Sequence, residues 1–453
     1  MATYTYKQQS IKIYKENADL IIKTVVICLL LSGTLIVGKQ YNLANLFIFL
    51  LTIAVSFYKP VFGILISIAY FTCDQFVEGA TNTAFPVGRY LIFINVLMSL
   101  PLSFKAIKNM PLICKIQYGI YLFLFIIGVV SLLWAPNTER AIYYIGKFGI
   151  LILWSCLSLH QLSNKNMLSS LSVIFSSVTS IIALVILFGE IGRLSHINDR
   201  LLLEGIGINS LATSFGFTII FSIFYLISTK SNWKKIIIIG IDLLIYLSII
   251  KMGTRSIVLG VPLACLLGLF AMRPRKMIKS LFIFSVILII TGTIFYIAAS
   301  SNLISSRLVD RYIGLAKVKT FKENSRLNLA RYSFLYIIEH PTGTGVGNEN
   351  RIFNDYKYKV RLFESHNTFI STMVQFGIGG LFLLILSKTI MLISIVFIGD
   401  SSHRSLCITM YFYFIICLMK ASILQTRLYW IPLTILMSFI GLNSWIEQKE
   451  KVL

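Results

Sequence analysis

Apolar runs of about 17–22 residues, separated by short polar breaks, recur along this chain from Ile21 to Trp445, each near the ~20 residues a helix needs to cross the hydrocarbon core. The pattern predicts about fourteen spans, at 21–38, 42–58, 61–73, 88–104, 116–134, 141–158, 169–189, 209–228, 234–250, 253–271, 279–298, 371–397, 404–420 and 428–446. The first run starts too late, and the runs repeat too often, for a cleaved signal peptide to explain them. The expected fold is an all-α polytopic membrane protein forming one integrated domain. Residues 1–298 would make an N-terminal transmembrane bundle, 299–365 a large extramembrane loop with a helix, and 366–453 the C-terminal transmembrane helices.

Composition sharpens this in two places. A hydrophobic content of 57% excludes an ordinary soluble domain. The seven cysteines (Cys28, Cys73, Cys114, Cys156, Cys265, Cys407 and Cys417) include no CxxC pair and lie mostly inside apolar segments. They read as small core residues, neither a disulfide frame nor a zinc site.

The net charge of +23 is informative chiefly through its placement. With the N-terminus in the cytoplasm, one set of breaks carries Lys7, Lys12 and Lys15, then Lys59, then Lys105, Lys108 and Lys115. The same side holds Lys230, Lys234 and Lys235, then Arg273, Arg275, Lys276 and Lys279. The small breaks on the other side are poorer in lysine and include the acidic DQFVEGATNT. This positive-inside pattern places both termini in the cytoplasm.

The long loop between about 299 and 365 departs from that pattern. Topology puts it outside, yet it carries eleven bases, Arg307, Arg311, Lys317, Lys319, Lys322, Arg326, Arg331, Arg351, Lys357, Lys359 and Arg361, against six acids, Asp310, Glu323, Glu339, Glu349, Asp355 and Glu364. Long loops translocate whatever their charge. An anionic ligand at the outer face accounts for the excess; a basic loop beside lipid headgroups is the plainer alternative. Within the loop, NSRLNLARYSFLYIIEHP predicts a helix: Asn324 or Ser325 can cap it, Leu327, Tyr332, Leu335 and Ile338 have roughly helical spacing, and Pro341 ends it. TGTGVGN follows as a glycine-rich tight turn. There is no internal repeat or low-complexity tract.

Of the five histidines, His160 and His403 fall at cytoplasmic ends and His196, His340 and His366 outside. His340, before a proline at a helix end, suits a capping or surface role, and His196 has no evident partner. His366 stands where the basic loop enters an apolar helix, followed by Asn367. An imidazole there can accept a proton from a hydroxyl near neutral pH; from the residues alone, base and helix cap are both open. Gly377, Gly379 and Gly380 on the same segment suit close packing by a neighbouring helix.

Two arginines complete the outer constellation. Arg255, in IIKMGTRSIVLG, lies just inside an apolar run. An arginine at such depth usually faces the bundle interior with an anionic partner, with snorkelling as the structural alternative. Arg326 opens the loop helix, where its planar, permanently charged fork matches phosphate oxygens and the helix N-terminus adds partial positive charge. Two arginines and a histidine suit a lipid-linked diphosphate beside a hydroxyl acceptor. Arg427, and less so Arg89, sit at outer helix ends as possible contributors, with Arg331 and Asn367 nearby in sequence. Lys147, Asp242 and Lys388 read as buried structural ions able to pair with one another. No metal-ligand cluster, cofactor motif or nucleotide-binding loop is present.

The succession MGTRSIVLG, SRLNLARYSFLYIIEHPTGTGVGN and SHNTFISTMVQFGIGGLF resembles the O-antigen ligase/polymerase superfamily over roughly Ile249–Phe397. Ala330 stands where that family usually has an aromatic residue, with Tyr332 nearby. The resemblance implies a GT-C-like fold acting on undecaprenyl-diphosphate-linked glycans at the periplasmic face of a bacterial inner membrane, without metal or other cofactor. It further implies that Arg255 and Arg326 bind the donor diphosphate and that His366 activates the acceptor hydroxyl. The partners would be lipid-linked donor and acceptor glycans and membrane lipid, with a chain-length regulator as a further candidate and no role for nucleic acid. Within the superfamily, ligases tend to carry a second histidine two residues before the loop-end one; Glu364 holds that place here, which favours an O-antigen polymerase over a ligase. A flippase or other transporter is a separate alternative, disfavoured because the chain shows no two related halves.

Overall fold

The computed structural model describes residues 41–58, 60–81, 87–102, 110–162, 165–188, 208–272, 325–349 and 365–450, with isolated positions between 23 and 33, at 107–108 and at 292–293. The described residues form thirteen α-helices and no strand. In chain order these are α1 (Tyr41–Tyr58), α2 (Pro60–Thr81), α3 (Val87–Ser99), α4 (Leu112–Val130), α5 (Thr138–Leu162), α6 (Lys165–Phe188), α7 (Ile208–Ser228), α8 (Asn232–Lys251) and α9 (Arg255–Met272). After them come α10 (Ser325–Glu339), α11 (Thr368–Val396), α12 (Ser401–Lys420) and α13 (Arg427–Glu450). The predicted spans 21–38 and 279–298 lie outside the described residues, as do 299–324 and 350–364 of the long loop, apart from isolated positions.

Among the described residues, five helical segments are long and apolar enough to cross a membrane: Leu112–Leu133, Thr138–Leu159, Leu171–Phe188, Thr368–Val396 and Ser401–Lys420. Helix α4 shows how the sequence sorts itself around such a segment. It turns Cys114, Gln117, Tyr118, Tyr121 and Leu124 inward and leaves Leu122, Phe123 and Ile126 exposed. Gln117, Tyr118 and Tyr121 thus face protein, where partners exist, and Leu122, Phe123 and Ile126 face outward. Helix α8 repeats the arrangement with Ile236, Ile237 and Ile239 exposed. The chain is a membrane protein, all-helical among the described residues.

Polar side chains stitch the helices together inside the bundle. Gln117 donates to the Ser387 carbonyl at 2.8 Å, the Tyr121 and Tyr429 hydroxyls meet at 2.7 Å, and Ser155 bonds both Tyr118 and Thr434. Asp242 accepts a hydrogen bond from the Ser222 hydroxyl. Lys388, 3% exposed, donates to the Tyr121 hydroxyl at 2.9 Å and lies 4.7 Å from the ring centres of both Phe414 and Tyr429. These two ions sit on different helices in different surroundings, and Lys147 borders a cavity described below. Of the three residues read as mutual ion partners, Lys388 is instead held by an aromatic cage and a hydroxyl.

The loop helix α10 ends at Glu339, as Pro341 predicts. Leu329, Ser333, Tyr336 and Ile337 are buried, whereas Leu335 and Ile338 are exposed, the latter by 75%. Tyr336 packs against Val374 and Ile370 of α11, and this contact sets the helix rotation.

Helix α11 contains the feature that organises the region around His366. It breaks at Gly377, whose φ of 75° and ψ of −173° are open essentially to glycine alone. The turn after α10 docks into this break. The Ile378 N–H donates to the Pro341 carbonyl at 3.0 Å, and the Thr344 N–H donates to the Val374 carbonyl at 2.7 Å. A side chain on Gly377 would strike the Pro341 carbonyl oxygen and come within 3.0 Å of Thr342 Cα. The three glycines were expected to admit a neighbouring helix. Gly377 admits a turn instead, and Gly379 has nothing within 4 Å.

Candidate functional site

Thr344, Val346, Asn348 and Glu349 are all buried, so this part of the predicted loop is a plug between helices, not a solvated excursion. Its hydrogen bonds account for that burial, since an unpaired interior backbone group is costly. The Val346 N–H donates to Ser131 Oγ at 3.2 Å and the Gly347 N–H to Gln375 Oε1 at 2.8 Å. The Asn137 N–H donates to Asn348 Oδ1 at 3.1 Å, and Asn348 Nδ2 returns a bond to the Asn137 carbonyl at 3.3 Å. Glycines at 343, 345 and 347, all with positive φ, let the chain curl tightly enough to make these bonds. Gly345 shows the closeness required: a Cβ there would lie 2.9 Å from that of Ala135.

Glu349 ends the plug, 7% exposed. Its Oε1 accepts the Ser365 N–H at 2.8 Å, and its Oε2 accepts the Ser371 hydroxyl at 2.7 Å and Gln375 Nε2 at 3.3 Å. Ser365 in turn donates its hydroxyl to the Asn367 carbonyl and lies 3.1 Å, oxygen to oxygen, from Ser422. Between these anchored neighbours stands His366, half-buried, with a φ of 50°. A positive φ is uncommon for any residue but glycine, and the surrounding contacts must hold it.

Asn367 takes the capping role that sequence reasoning left open for His366. Its Oδ1 accepts the N–H groups of Phe369 at 2.9 Å and Ile370 at 3.2 Å, closing the first turn of α11. The imidazole is therefore not needed as the cap.

The other sequence candidates lie at helix beginnings. Arg255 is the first residue of α9 and Arg427 the first of α13, while Arg326 is the second of α10. Contacts between helices show where these beginnings fall. Helix α9 runs antiparallel to α12, with Gly268 against Ser405 and Thr409 and Gly260 against Ile416. The same register, carried one further turn, brings Arg255 level with Lys420 and Ala421. The following connection, Ala421–Thr426, is tied to α11: Thr368 Oγ1 donates to the Ala421 carbonyl at 2.5 Å, and the Ile423 N–H donates to Thr368 Oγ1 at 3.1 Å. Arg427 opens α13 immediately after it. Helix α10 runs parallel to α11, as the Tyr336–Val374 and Pro341–Ile378 contacts require, so its beginning lies toward the His366 end. The beginnings of four helices thus gather at one end of the bundle, where their N–H groups and dipoles favour negative charge.

Several candidates carry less. The Arg326 and Arg89 side chains and His196 lie outside the described residues. Arg331 is exposed on α10. His340 is exposed and stacks on Tyr336, with ring centres 4.5 Å apart, in keeping with a surface role.

A cavity of about 130 Å³ opens against the plug, bordered by Arg140, Lys147, Glu349, Gln375 and Gln425 together with Ser422. Gln425 Nε2 donates to Gln375 Oε1 at 2.9 Å, joining the cavity wall to the network around Glu349. This space, with two cations, one buried carboxylate and two amides, can bind an oxygen-rich polar group. Sequence reasoning counted Glu349 among the loop acids and Lys147 among the structural ions and passed over Arg140. The only available signal was an acid directly after a glycine-rich turn.

No curated protein gives a significant match to the chain. Residues 240–385, which take in the end of α8, all of α9 and α10 and the first half of α11, match the family model described as O-antigen ligase, so the chain carries a domain of the O-antigen ligase/polymerase superfamily.

Proposed function

We propose that the protein is an O-antigen polymerase: a metal-independent, inverting glycosyltransferase that joins undecaprenyl-diphosphate-linked oligosaccharide repeat units at the periplasmic face of the bacterial inner membrane. Its fold would be GT-C-like with about fourteen spans and both termini in the cytoplasm. The observation that carries the proposal is His366, held in a left-handed conformation at the mouth of α11, at the end of the bundle where the helices beginning with Arg255 and Arg427 also start.

In the reaction, His366 accepts the proton of a hydroxyl on the acceptor sugar as its oxygen forms a bond to the anomeric carbon of the donor. The bond between that carbon and the diphosphate oxygen breaks, and the lipid diphosphate leaves with the electron pair. Attack opposite the leaving group inverts the anomeric centre. Arg255 and Arg326, supported by Arg427, meet the charge that develops on the diphosphate, where preorganised cations lower the barrier most. The leaving group is already a stabilised anion, so its departure needs little acid assistance. His366 then releases its proton to water. Arg331, exposed on α10, and Asn367, engaged in capping, would contribute only to the surroundings. A chain-length regulator is a further partner to be sought.

The same chemistry serves an O-antigen ligase, which would hand the finished glycan to lipid A-core. Glu364, in place of the second histidine usual in ligases, favours the polymerase. The deciding experiment is the surface-glycan profile of a deletion strain complemented with wild type or with His366→Ala, Arg255→Ala or Arg326→Ala, each confirmed in the membrane. Collapse of the ladder to core plus one repeat is the expected result. Loss of all attached glycan with accumulation of lipid-linked polymer would make the protein a ligase. A normal ladder from His366→Ala would remove the proposed base.

A further inference from the structure

We infer that Glu349 is the positioning residue for His366, an inference that rests on His366 being the base of the proposed transfer. Glu349 is itself fixed, because the plug that ends in it is tied at Val346 to Ser131, at Gly347 to Gln375 and at Asn348 to Asn137. Its carboxylate reaches both sides of the histidine. Oε1 holds the N–H of Ser365, directly before His366, at 2.8 Å, and Oε2 holds the Ser371 hydroxyl, in the helix directly after it, at 2.7 Å. The turn between these grips carries His366 at φ 50°, a conformation that persists only where neighbours over-determine it. The acid also borders the polar cavity with Arg140 and Lys147, so the same side chain shapes the space beside the turn. Three donors already aim at its two oxygens, which suits orientation better than proton transfer.

The chemistry of the site makes a strong test possible. Glu349→Gln keeps the size of the side chain but supplies one amide nitrogen where only acceptors fit. That NH2 must face either the Ser365 N–H or Gln375 Nε2, and both are donors. The double variant Glu349→Gln/Gln375→Glu restores complementarity, because the new amide can donate to the new carboxylate. That carboxylate can still accept from the Gly347 N–H and from Gln425, the present partners of Gln375 Oε1.

The assay uses the full-length protein in lipid nanodiscs and the undecaprenyl-diphosphate-linked repeat unit isolated from the polymerase-deficient host. Wild type is expected to extend it. Glu349→Gln should lose about 10- to 100-fold in kcat, the scale on which small misplacements of a catalytic group act, with KM changed less than about twofold. The double variant should recover most of that loss. A wild type that extends nothing defeats the functional reading itself. With an active wild type, an unchanged kcat for Glu349→Gln overturns the positioning role. An equally damaged but folded double variant also overturns it, since the carboxylate would then matter for its own charge or reactivity. Should Glu349→Gln fail to accumulate, the folded double variant carries the test alone.

Discussion

The backbone N–H of Thr344 donates to the carbonyl oxygen of Val374 across 2.7 Å, so a loop turn completes the hydrogen bonding of a transmembrane helix at the point where that helix is broken. The break frees backbone groups that would otherwise be orphaned in an apolar interior, and the turn after α10 satisfies them. Gly377 is the residue that permits this, and substituting it should undo the docking. Gly377→Ala meets both a glycine-only backbone conformation and the Pro341 carbonyl, and should cost at least about 2 kcal/mol. The expected outcome is a lower thermal unfolding midpoint in detergent together with loss of glycan elongation. A variant that unfolds with wild type would show that the break does not anchor the plug.

The adjacent residues His366 and Asn367 should separate cleanly. Asn367→Ala loses the cap of α11 and should lower stability by about 0.5–2 kcal/mol, whereas Asn367→Asp, which also caps, should lose much less. His366→Asn keeps a side chain that tolerates positive φ and should leave stability nearly unchanged while abolishing elongation. Thermal unfolding of the three proteins, set beside their glycan ladders, checks the division. A ladder-forming His366→Asn would leave the histidine without a chemical role.

Lys388 offers a control inside the same helix. Its ammonium is enclosed by Tyr121, Phe414 and Tyr429 rather than by a carboxylate among the contacts described above. Replacing a buried ion with an apolar side chain of similar volume is often close to neutral. Lys388→Met should therefore stay within about 1 kcal/mol of wild type in stability and elongate normally. Lys388→Ala, which leaves a void, should lose roughly 2–4 kcal/mol. Chemical unfolding in detergent distinguishes the pair, and failure of elongation in a stable Lys388→Met would assign the ion a part in function.

At the other end of α12, Asp400 caps the helix through the Ser402 N–H at 2.8 Å and lies 2.5 Å from His403 Nδ1. Burial alone would raise the Asp400 carboxyl, but the Ser402 N–H and the His403 ring outweigh it and hold the group below its usual 3.8. A carboxyl lowered in the folded state stabilises above its unfolded value, and the contribution fades as pH falls through the lower folded value. The difference between wild type and Asp400→Ala should thus be full above about pH 5 and shrink below about pH 4. Unfolding midpoints measured across that range test the sign; a gap that widens on acidification would reverse it.

Much of the region around His366 is legible in the sequence. The glycine-rich turn, the end of α10 before Pro341, the start of α11 beside His366, and the placement of Arg255 and Arg427 at helix beginnings follow from local chemistry. Glycine, proline and capping residues act over a few positions, and their meaning survives in one dimension. Glu349 was not legible in the same way. Its partners lie at 365, 371 and 375, and nothing short of the folded arrangement distinguishes it from the other acids of the loop. The buried face of α10 was not legible for a related reason: a helix beside a membrane can leave Leu335 and Ile338 outward, because apolar surface no longer implies interior.

By itself, then, the sequence determined that this is a helical membrane protein with a region resembling the O-antigen ligase/polymerase superfamily and a histidine at the mouth of a glycine-rich helix. Hydrophobic length, charge placement and short motifs are local properties, and they suffice for that much. The tertiary structure decided that the helix is broken at Gly377, that a turn plugs the break, that Asn367 and not His366 is the cap, and that one carboxylate grips the chain on both sides of the histidine. Each of these depends on which backbone groups are left unsatisfied when helices pack, and on which distant residues arrive to satisfy them.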